Sequence, residues 1–272
     1  MLKVHKISIG HGDHVLVQDI SFELSKGECV LLAGANGTGK TTLLKRLASM
    51  SRKIPSSVSD LLGMTEESPS EQYTRCHSER SEGICPQIIL IPTNIPKIKG
   101  FTVEAFVRTG CYKESDWKGR ISKDVKKKME EALEVLGIQE LKNRDISTLS
   151  DGEFKKACLA VGLTRQAEVL LLDEPTAFLD VENRISVLQT LREVARKTWT
   201  AVLFSSHDLH DALPVVDRVF VLTRDGRFVT SSEVDLSSVI SSKVDPSSVI
   251  SSEVEKSKEE VLRKAFPNLT TL

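Results

Sequence analysis

Gly34-Ala35-Asn36-Gly37-Thr38-Gly39-Lys40-Thr41 follows the pattern G-x-x-x-x-G-K-[ST], which is typical of a phosphate-binding loop. Residues 29–33, just before it, form an apolar run typical of a buried strand. Residues 41–48, just after it, place leucines on one face of a predicted helix. Since this motif requires strand, glycine loop and helix in that order, the sequence predicts a nucleoside triphosphate site.

The residue types of this loop suit a bound polyphosphate. Glycines let the backbone approach an anion closely, and amide N–H groups of the loop and the helix N-terminus point at it. We expect Lys40 to reach the β- and γ-phosphates and to assist catalysis, while the Thr41 hydroxyl ligates Mg²⁺. The predicted nucleotide contacts in this stretch are Gly34, Ala35, Asn36, Gly37, Thr38, Gly39, Lys40, Thr41 and Thr42.

Composition narrows the class of protein. The 272 residues carry 37 Lys+Arg against 38 Asp+Glu, a net charge of −1, so no basic field argues for nucleic acid. There is no apolar run near eighteen residues and no signal peptide at the start. The five cysteines show no C-x-x-C spacing, and Cys29 and Cys158 sit among apolar residues. These features predict a cytosolic, reduced protein.

Short apolar strands alternate with amphipathic helices along the chain, which predicts an α/β fold with a mainly parallel sheet. Thr102 is expected to cap a helix, and Gly137 to end another. The continuous apolar run at 169–172 suits a strand buried on both faces. The other predicted strands span residues 7–9, 15–17, 20–24, 88–91, 200–204, 219–222 and 227–229, and the longer helices span 125–136 and 181–197.

Two segments do not show the alternation of apolar strands and amphipathic helices. Residues 51–83 lose periodicity and predict an exposed insertion. Residues 231–257 hold two and a half copies of a serine-rich ten-residue repeat, too few for a stable solenoid, so we interpret them as a linker. A short C-terminal helix is predicted within 258–272.

Polar residues follow two of the predicted strands. Asp173 ends its apolar strand, where it is placed to hold Mg²⁺, and Glu174 comes next. At the carboxyl edge of an open α/β sheet, Glu174 could polarise a water for attack on the γ-phosphate. His207 follows the next strand and could reach the same phosphate. By itself, the Asp-Glu pair is also compatible with an ordinary strand end.

Further motifs favour a nucleotide site over an ordinary strand end at Asp173-Glu174. Residues 149–153, Leu-Ser-Asp-Gly-Glu, resemble the L-S-G-G-Q signature of ABC-type ATPases. The stretches 173–176, 177–180 and 206–208 are similar to the other motifs of that family, in the same order. The resemblance covers roughly residues 1–230 and implies a P-loop NTPase (RecA-like) core with a mainly parallel sheet, an antiparallel β subdomain and a helical signature subdomain at about 96–165.

The resemblance also implies how the site works. In this family two domains pack head to tail and enclose two ATP molecules, with Mg²⁺ as the second cofactor. The phosphate loop of one domain faces the signature of the other, so Ser150 and Gly152 are expected to meet a γ-phosphate across an interface. Asp180 belongs to the D-loop-like stretch and is expected to line the same nucleotide site.

Three positions depart from the family pattern. Asp151 replaces a glycine and adds an anion near a phosphate, so we expect its side chain to point away. Thr93 stands where the family has its Q-loop glutamine, which predicts an altered or water-bridged contact to the metal or altered coupling to a membrane partner. His11 takes the place of the aromatic residue that stacks on adenine.

The motif variants resemble most closely the ATPase subunits of importers for iron–siderophore, haem or cobalamin. The expected partners are a second copy or a paralogue, integral-membrane permease subunits and an extracytoplasmic substrate-binding protein, without nucleic acid. The expected location is the cytoplasmic face of the inner (plasma) membrane. The alternatives are an exporter ATPase and a non-transport ABC ATPase acting on DNA or ribosomes; a P-loop kinase would leave the signature-like stretch unexplained.

Overall fold

The computed structural model describes residues 1–11, 14–51, 86–114, 121–206, 209–224 and 226–230, with the backbone alone for residues 11 and 112–114. Most of the predicted insertion, the repeat at 231–257 and the helix at 258–272 lie outside these ranges. In chain order the elements are β1 (Leu2–His11), β2 (His14–Leu24), β3 (Cys29–Gly34), α1 (Lys40–Ser49), β4 (Ile88–Ile91), α2 (Val103–Arg108), α3 (Lys123–Val135), α4 (Asp151–Thr164), β5 (Val169–Leu172), α5 (Val181–Thr198), β6 (Ala201–Ser205), α6 (Leu209–Ala212), β7 (Arg218–Leu222) and β8 (Phe228–Thr230).

A six-stranded sheet forms the centre of the fold, with strand order β4-β5-β6-β3-β7-β8. The first five strands are parallel, and β8 pairs antiparallel with β7 at one edge. Because parallel strands end at the same edge of a sheet, the segments that follow β3, β4, β5 and β6 meet there. The predicted α/β fold with a mainly parallel sheet is therefore confirmed.

The apolar strands are buried on both faces of this sheet. Every residue of β3 and of β5 is buried. Side chains alternate across the pleat, so Leu31 and Leu170 face one core cluster while Leu32 and Leu171 face the other. The first cluster contains the inner residues of α2 to α5, and the second contains the leucines of α1. The uninterrupted apolar runs arise because neither face of the sheet meets water.

A long hairpin of β1 and β2 makes a separate two-stranded antiparallel sheet. The sequence predicted shorter strands here, with a break between residues 17 and 20. That prediction was wrong, because β2 runs without interruption through Asp19, which has a φ of 55°. The pairing stays continuous because the register of β1 shifts opposite this part of β2 and Lys6 adopts a φ of 48°. Lys6 N donates to Ser21 Oγ (2.9 Å).

Three helices, α2 to α4, pack on one side of the sheet. The Thr102 hydroxyl accepts a hydrogen bond from Ala105 N (3.2 Å) and caps α2, as predicted. Helix α3 begins two residues before its predicted start because Ser122 caps it through Val125 N. It ends near Gly137, whose φ of 64° suits a glycine, so the predicted stop is confirmed.

The other predicted strands and helices with stated bounds lie within one residue of those bounds, whereas the short helix α6 was not predicted. Helix α5 and strand β6 each extend one residue beyond their predicted ends, and β7 and β8 form the predicted hairpin. Cys29 and Cys158 are buried core residues, and burial raises the pKa of the Cys158 thiol to about 12. None of the helices in the described segments has the length and apolar character needed to cross a membrane.

We expect Phe106→Ala to lower the free energy of unfolding by about 3–5 kcal/mol, because truncating a buried aromatic residue leaves a cavity. Phe106 is fully buried in α2, and its ring centroid lies 5.6 Å from that of Phe154. Phe178→Ala is the matched control, since Phe178 is 85% exposed, and it should change the free energy by no more than about 0.5 kcal/mol. Urea unfolding followed by circular dichroism measures both, and equal losses would contradict the assigned core.

Candidate functional site

The glycine-rich loop joins β3 to α1 and closes around one lysine. Lys40 Nζ donates to the backbone oxygens of Gly34 (2.8 Å) and Ala35 (3.2 Å). The Thr38 hydroxyl donates to the same oxygen of Ala35 (2.9 Å), and both side chains are buried. The loop is thus held in one shape by its own side chains. Asn36 stands exposed at the turn.

The start of α1 is arranged to receive an anion. Gly39, with a φ of 96°, precedes the helix, and no side chain in the described part of the protein caps it. Backbone N–H groups at the start of a helix point outward along its axis, so the first turn of α1, which includes Thr42, faces the loop with its positive end. Gly34 is required by close packing, because a Cβ there would lie 2.6 Å from the backbone oxygen of Leu222.

Charged groups converge behind the loop. Burial lowers the pKa of Lys40, and the nearby carboxylates of Glu174 and Asp173 raise it in part. The opposed effects mean that the ammonium group lies in a partly dehydrated site next to two acidic side chains. A cation in such a site interacts strongly with phosphate oxygens.

Asp173 connects the loop to two neighbouring strands. Its carboxylate accepts a hydrogen bond from the Thr41 hydroxyl at Oδ2 (2.8 Å) and one from the Ser205 hydroxyl at Oδ1 (2.9 Å). Asp173 is 8% exposed, so these bonds compensate for the loss of water around its charge. The two residues predicted to hold Mg²⁺, Thr41 and Asp173, are therefore in direct contact. Oxygen donors of this kind suit that ion.

Glu174 occupies an unusual backbone conformation. Its φ is 48°, in the left-handed region that favours glycine. Its amide N–H donates to Ser205 Oγ (2.9 Å), which helps hold the conformation. Strained residues of this kind cluster at functional sites, and the Glu174 carboxylate is close enough to Lys40 to raise the pKa of that lysine in part.

Thr93 follows β4 and faces Asp173 through its hydroxyl. Thr93 Oγ1 donates to the backbone oxygen of Asp173 (2.9 Å). On its other side, Lys155 Nζ in α4 donates to the backbone oxygen of Thr93 (2.7 Å). Burial lowers the pKa of Lys155, and nearby Cys158, Asp151 and Asp173 raise it in part. Thr93 therefore joins the backbone of Asp173 to the helix that begins at the signature-like stretch.

The signature-like stretch forms the start of α4. Ser150 caps this helix: its hydroxyl accepts from Glu153 N (3.1 Å), and Glu153 Oε2 accepts from Ser150 N (2.8 Å). This reciprocal pair is a capping box. Ser150 is exposed, and its hydroxyl proton remains a donor for an external acceptor.

Asp151 pairs with a lysine from another part of the chain. Lys97 Nζ donates to Asp151 Oδ1 (2.7 Å) and to the backbone oxygen of Leu149 (2.7 Å). The ammonium group also lies 5.6 Å from the centroid of the Phe154 ring. The sequence predicted that the Asp151 side chain would point away from a phosphate, and its direction is set by this ion pair.

Gly152 brings the starts of α4 and α5 together. A Cβ on Gly152 would lie 2.8 Å from Asn183 Oδ1, so only glycine fits this contact without a shift. Asp180 caps α5 by accepting from Asn183 N and from Asn183 Nδ2, both at 2.8 Å. These hydrogen bonds lower the pKa of Asp180. The nucleotide contacts predicted for Gly152 and Asp180 stay predictions, and both residues have structural roles beside them.

Two predicted site residues lie outside what the structure describes. His207 is not among the described residues, and of His11 only the backbone pairing with His14 is described. The roles predicted for both therefore stay predictions.

Four residues of the site were not found from the sequence: Ser205, Lys97, Lys155 and Asn183. Ser205 is the polar last residue of an apolar strand, and that strand, β6, pairs with β5, which leads to Asp173. A polar residue at the end of a buried strand was the signal that could have identified it. Lys97 and Lys155 carried no signal in the chain, because each acts through a contact with a distant segment. Asn183 contributes by packing against a glycine, which no linear pattern records.

The fold and the site together define a P-loop NTPase. The phosphate loop lies between a buried strand and a helix, and the strand-end Asp173 contacts the loop residue Thr41. This is the arrangement that binds the phosphates of a nucleoside triphosphate.

Comparisons with known proteins narrow this class. The family described as ABC transporter matches residues 17–177, which is more than half of the chain. The petrobactin import ATP-binding protein FpuC of Bacillus anthracis is 29% identical over 82% of this chain and 78% of its own length. The iron(3+)-hydroxamate import ATP-binding protein FhuC of Bacillus subtilis is 30% identical over 78% of this chain and 74% of its own length.

A solved structure shares the fold. The structure of cbiO1 from Clostridium perfringens, part of the ABC transporter complex cbiONQ, matches with a TM-score of 0.66 at 21% identity, covering 97% of this chain and 95% of that one. The chain therefore belongs to the ABC transporter family, as its ATP-binding and ATP-hydrolysing component. The resemblance drawn from the motifs is confirmed.

We expect Lys40→Ala to weaken ATP binding by about 10- to 100-fold, because a charge-assisted contact to phosphate contributes about 1.5–3 kcal/mol. Isothermal titration calorimetry with ATP measures the change. Lys45→Ala is the matched control, since Lys45 lies on the same helix and is exposed. Unchanged affinity in Lys40→Ala would contradict the assignment of the loop.

Proposed function

We propose that this protein powers a separate membrane permease that imports an iron–siderophore, haem or cobalamin. The main support is that this chain is 29% identical to an ATP-binding protein named for petrobactin import and 30% identical to one named for iron(3+)-hydroxamate import. Both alignments extend over three quarters or more of this chain, and the family match at residues 17–177 includes the loop, the signature-like stretch and the strand-end acids.

In this proposal the loop side of the site binds the triphosphate of ATP. Lys40 and the start of α1 contact the phosphates, which is supported by the buried Lys40 ammonium group within the loop and by the position of the loop at a helix N-terminus. Thr41 and Asp173 hold Mg²⁺, because their oxygens already lie 2.8 Å apart. When bound, the ion neutralises charge on the phosphate oxygens.

Glu174 is the proposed base. Its carboxylate accepts a proton from the attacking water, and its strained backbone holds that carboxylate at the edge of the site before substrate arrives. His207, at the end of the neighbouring strand, would contact the same phosphate. Thr93 has its hydroxyl bonded to the Asp173 backbone, so its proposed role is to position the metal ligand.

The second half of the site is proposed to come from a partner domain. Ser150 is exposed at a helix N-terminus, has a hydroxyl proton to donate, and would meet the γ-phosphate bound by the partner. Gly152 and Asp180 would line the same interface, and His11 would stack on adenine. Binding of ATP would favour the closed dimer, and hydrolysis would reopen it, so work derives from the difference in affinity between the two states.

The proposed assembly has several further members. A second copy or a paralogue forms the dimer, permease subunits span the membrane, and an extracytoplasmic substrate-binding protein delivers the cargo. The solved structure of cbiO1 is itself named as part of an ABC transporter complex, which supports a multi-subunit assembly. The protein would lie on the cytoplasmic face of the inner (plasma) membrane.

We expect Glu174→Gln to lower kcat for ATP hydrolysis by about 100-fold or more, because a positioned base contributes roughly 10²–10⁴-fold. Glutamine has the same shape, so ATP affinity should be retained. Steady-state phosphate release and ATP titration measure the two quantities. Glu182→Gln, an exposed change in the first turn of α5, is the control. A near-wild-type rate in Glu174→Gln would remove Glu174 from this role.

The import assignment is tested by purifying tagged Glu174→Gln protein from native membranes in the presence of ATP. Mass spectrometry then identifies the proteins that come with it. A permease together with an extracytoplasmic binding protein is the expected result. Ribosomal or DNA-repair proteins without any membrane protein would contradict transport, and an exporter-type membrane subunit would contradict import.

A further inference from the structure

Lys97 makes an unusual set of contacts beside the signature-like stretch. Its ammonium group donates to Asp151 Oδ1 and to the Leu149 backbone oxygen, both at 2.7 Å. The Asp151 side chain is 63% exposed and the Lys97 side chain 26% exposed. Lys97 therefore reaches from the segment after β4 to the loop that precedes α4, over the ring of Phe154.

The negative charge of Asp151 stabilises the start of α4 but opposes the binding of a phosphate beside it. As the first residue of α4, Asp151 interacts favourably with the helix dipole. Its carboxylate is adjacent in sequence to the exposed Ser150, which the proposed function places against a γ-phosphate. A negative side chain in that position repels a polyphosphate unless a cation neutralises it.

We propose that Lys97 is a positioning residue that neutralises Asp151 and thereby allows the signature loop to accept a partner-bound γ-phosphate. This inference rests on the proposed ATP-dependent dimer. The ion pair is partly exposed, and such pairs contribute little to folding stability, so its main effect is on the local charge and on where Asp151 points. The bond to the Leu149 oxygen fixes the backbone immediately before Ser150.

A second contact supports this assignment. The segment that carries Lys97 begins at Thr93, whose backbone oxygen accepts from Lys155 in α4 (2.7 Å) and whose hydroxyl donates to Asp173 (2.9 Å). The segment from 93 to 97 is therefore bonded at both ends to α4 and the residues just before it, and at one end to the backbone of the predicted metal ligand Asp173. The short segment from Thr93 to Lys97 thus contacts Asp173 at one end and the signature-like stretch at the other.

The test measures ATP-dependent dimerisation by light scattering in a Glu174→Gln parent, which retains bound ATP. We expect Lys97→Met to raise the ATP concentration needed for half-maximal dimer by about tenfold or more, because it exposes a like charge at a buried interface. Lys97→Arg should keep the parent behaviour. Lys142→Met is the matched control, since Lys142 pairs with Glu104 within the same group of helices.

A second substitution distinguishes loss of charge neutralisation from structural damage caused by Lys97→Met. Adding Asp151→Asn to Lys97→Met should restore dimerisation, because the repelling charge is then removed. Raising the salt concentration should shrink the defect of Lys97→Met, since it screens the repulsion. Thermal unfolding of each variant should remain near that of the parent.

Each contrary result has a definite meaning. Parent-like dimerisation of Lys97→Met, or a defect that Asp151→Asn does not suppress, would overturn the role of Lys97 while leaving the dimer intact. A parent that binds ATP but never dimerises would overturn the head-to-tail dimer, and the role of Lys97 with it.

Discussion

The buried carboxylate of Asp173 is the interaction on which the site depends. It joins the phosphate loop through Thr41 and strand β6 through Ser205, and its backbone oxygen joins the segment after β4 through Thr93. A carboxylate that has lost its water is stable only when such bonds replace it. The side chain of Asp173 thus joins two segments that are distant in sequence, and its backbone joins a third. The parallel order of the strands makes that convergence possible.

Much of this arrangement could be predicted from the chain. The central sheet followed from apolar runs whose residues are buried on both faces, and the order of the nucleotide motifs fixed the edge where the site lies. Caps such as Thr102 and stops such as Gly137 are local signals, because the responsible atoms lie within one turn. These parts depend on neighbours in sequence, which is why the sequence alone sufficed.

Contacts between distant segments could not be predicted in the same way. Lys97 and Asp151 are separated by 54 positions, and nothing near either residue indicates its partner. The left-handed conformation of Glu174 is imposed by its surroundings and contradicts its own preference. The continuous β2 was missed because polar residues at 18 and 19 read as a break, whereas a register shift in β1 accommodates them.

The contact between Gly152 and Asn183 has a mechanical consequence. A Cβ at position 152 would lie 2.8 Å from the asparagine oxygen, so the Asn183 side chain fits against the first turn of α4 because residue 152 has no side chain of its own. The same asparagine is held by Asp180, which accepts hydrogen bonds from both its backbone N and its Nδ2 (2.8 Å each). The residue before α4, Ser150, and the residue before α5, Asp180, are therefore linked through one asparagine, and a larger side chain at position 152 would disturb both helix starts at once.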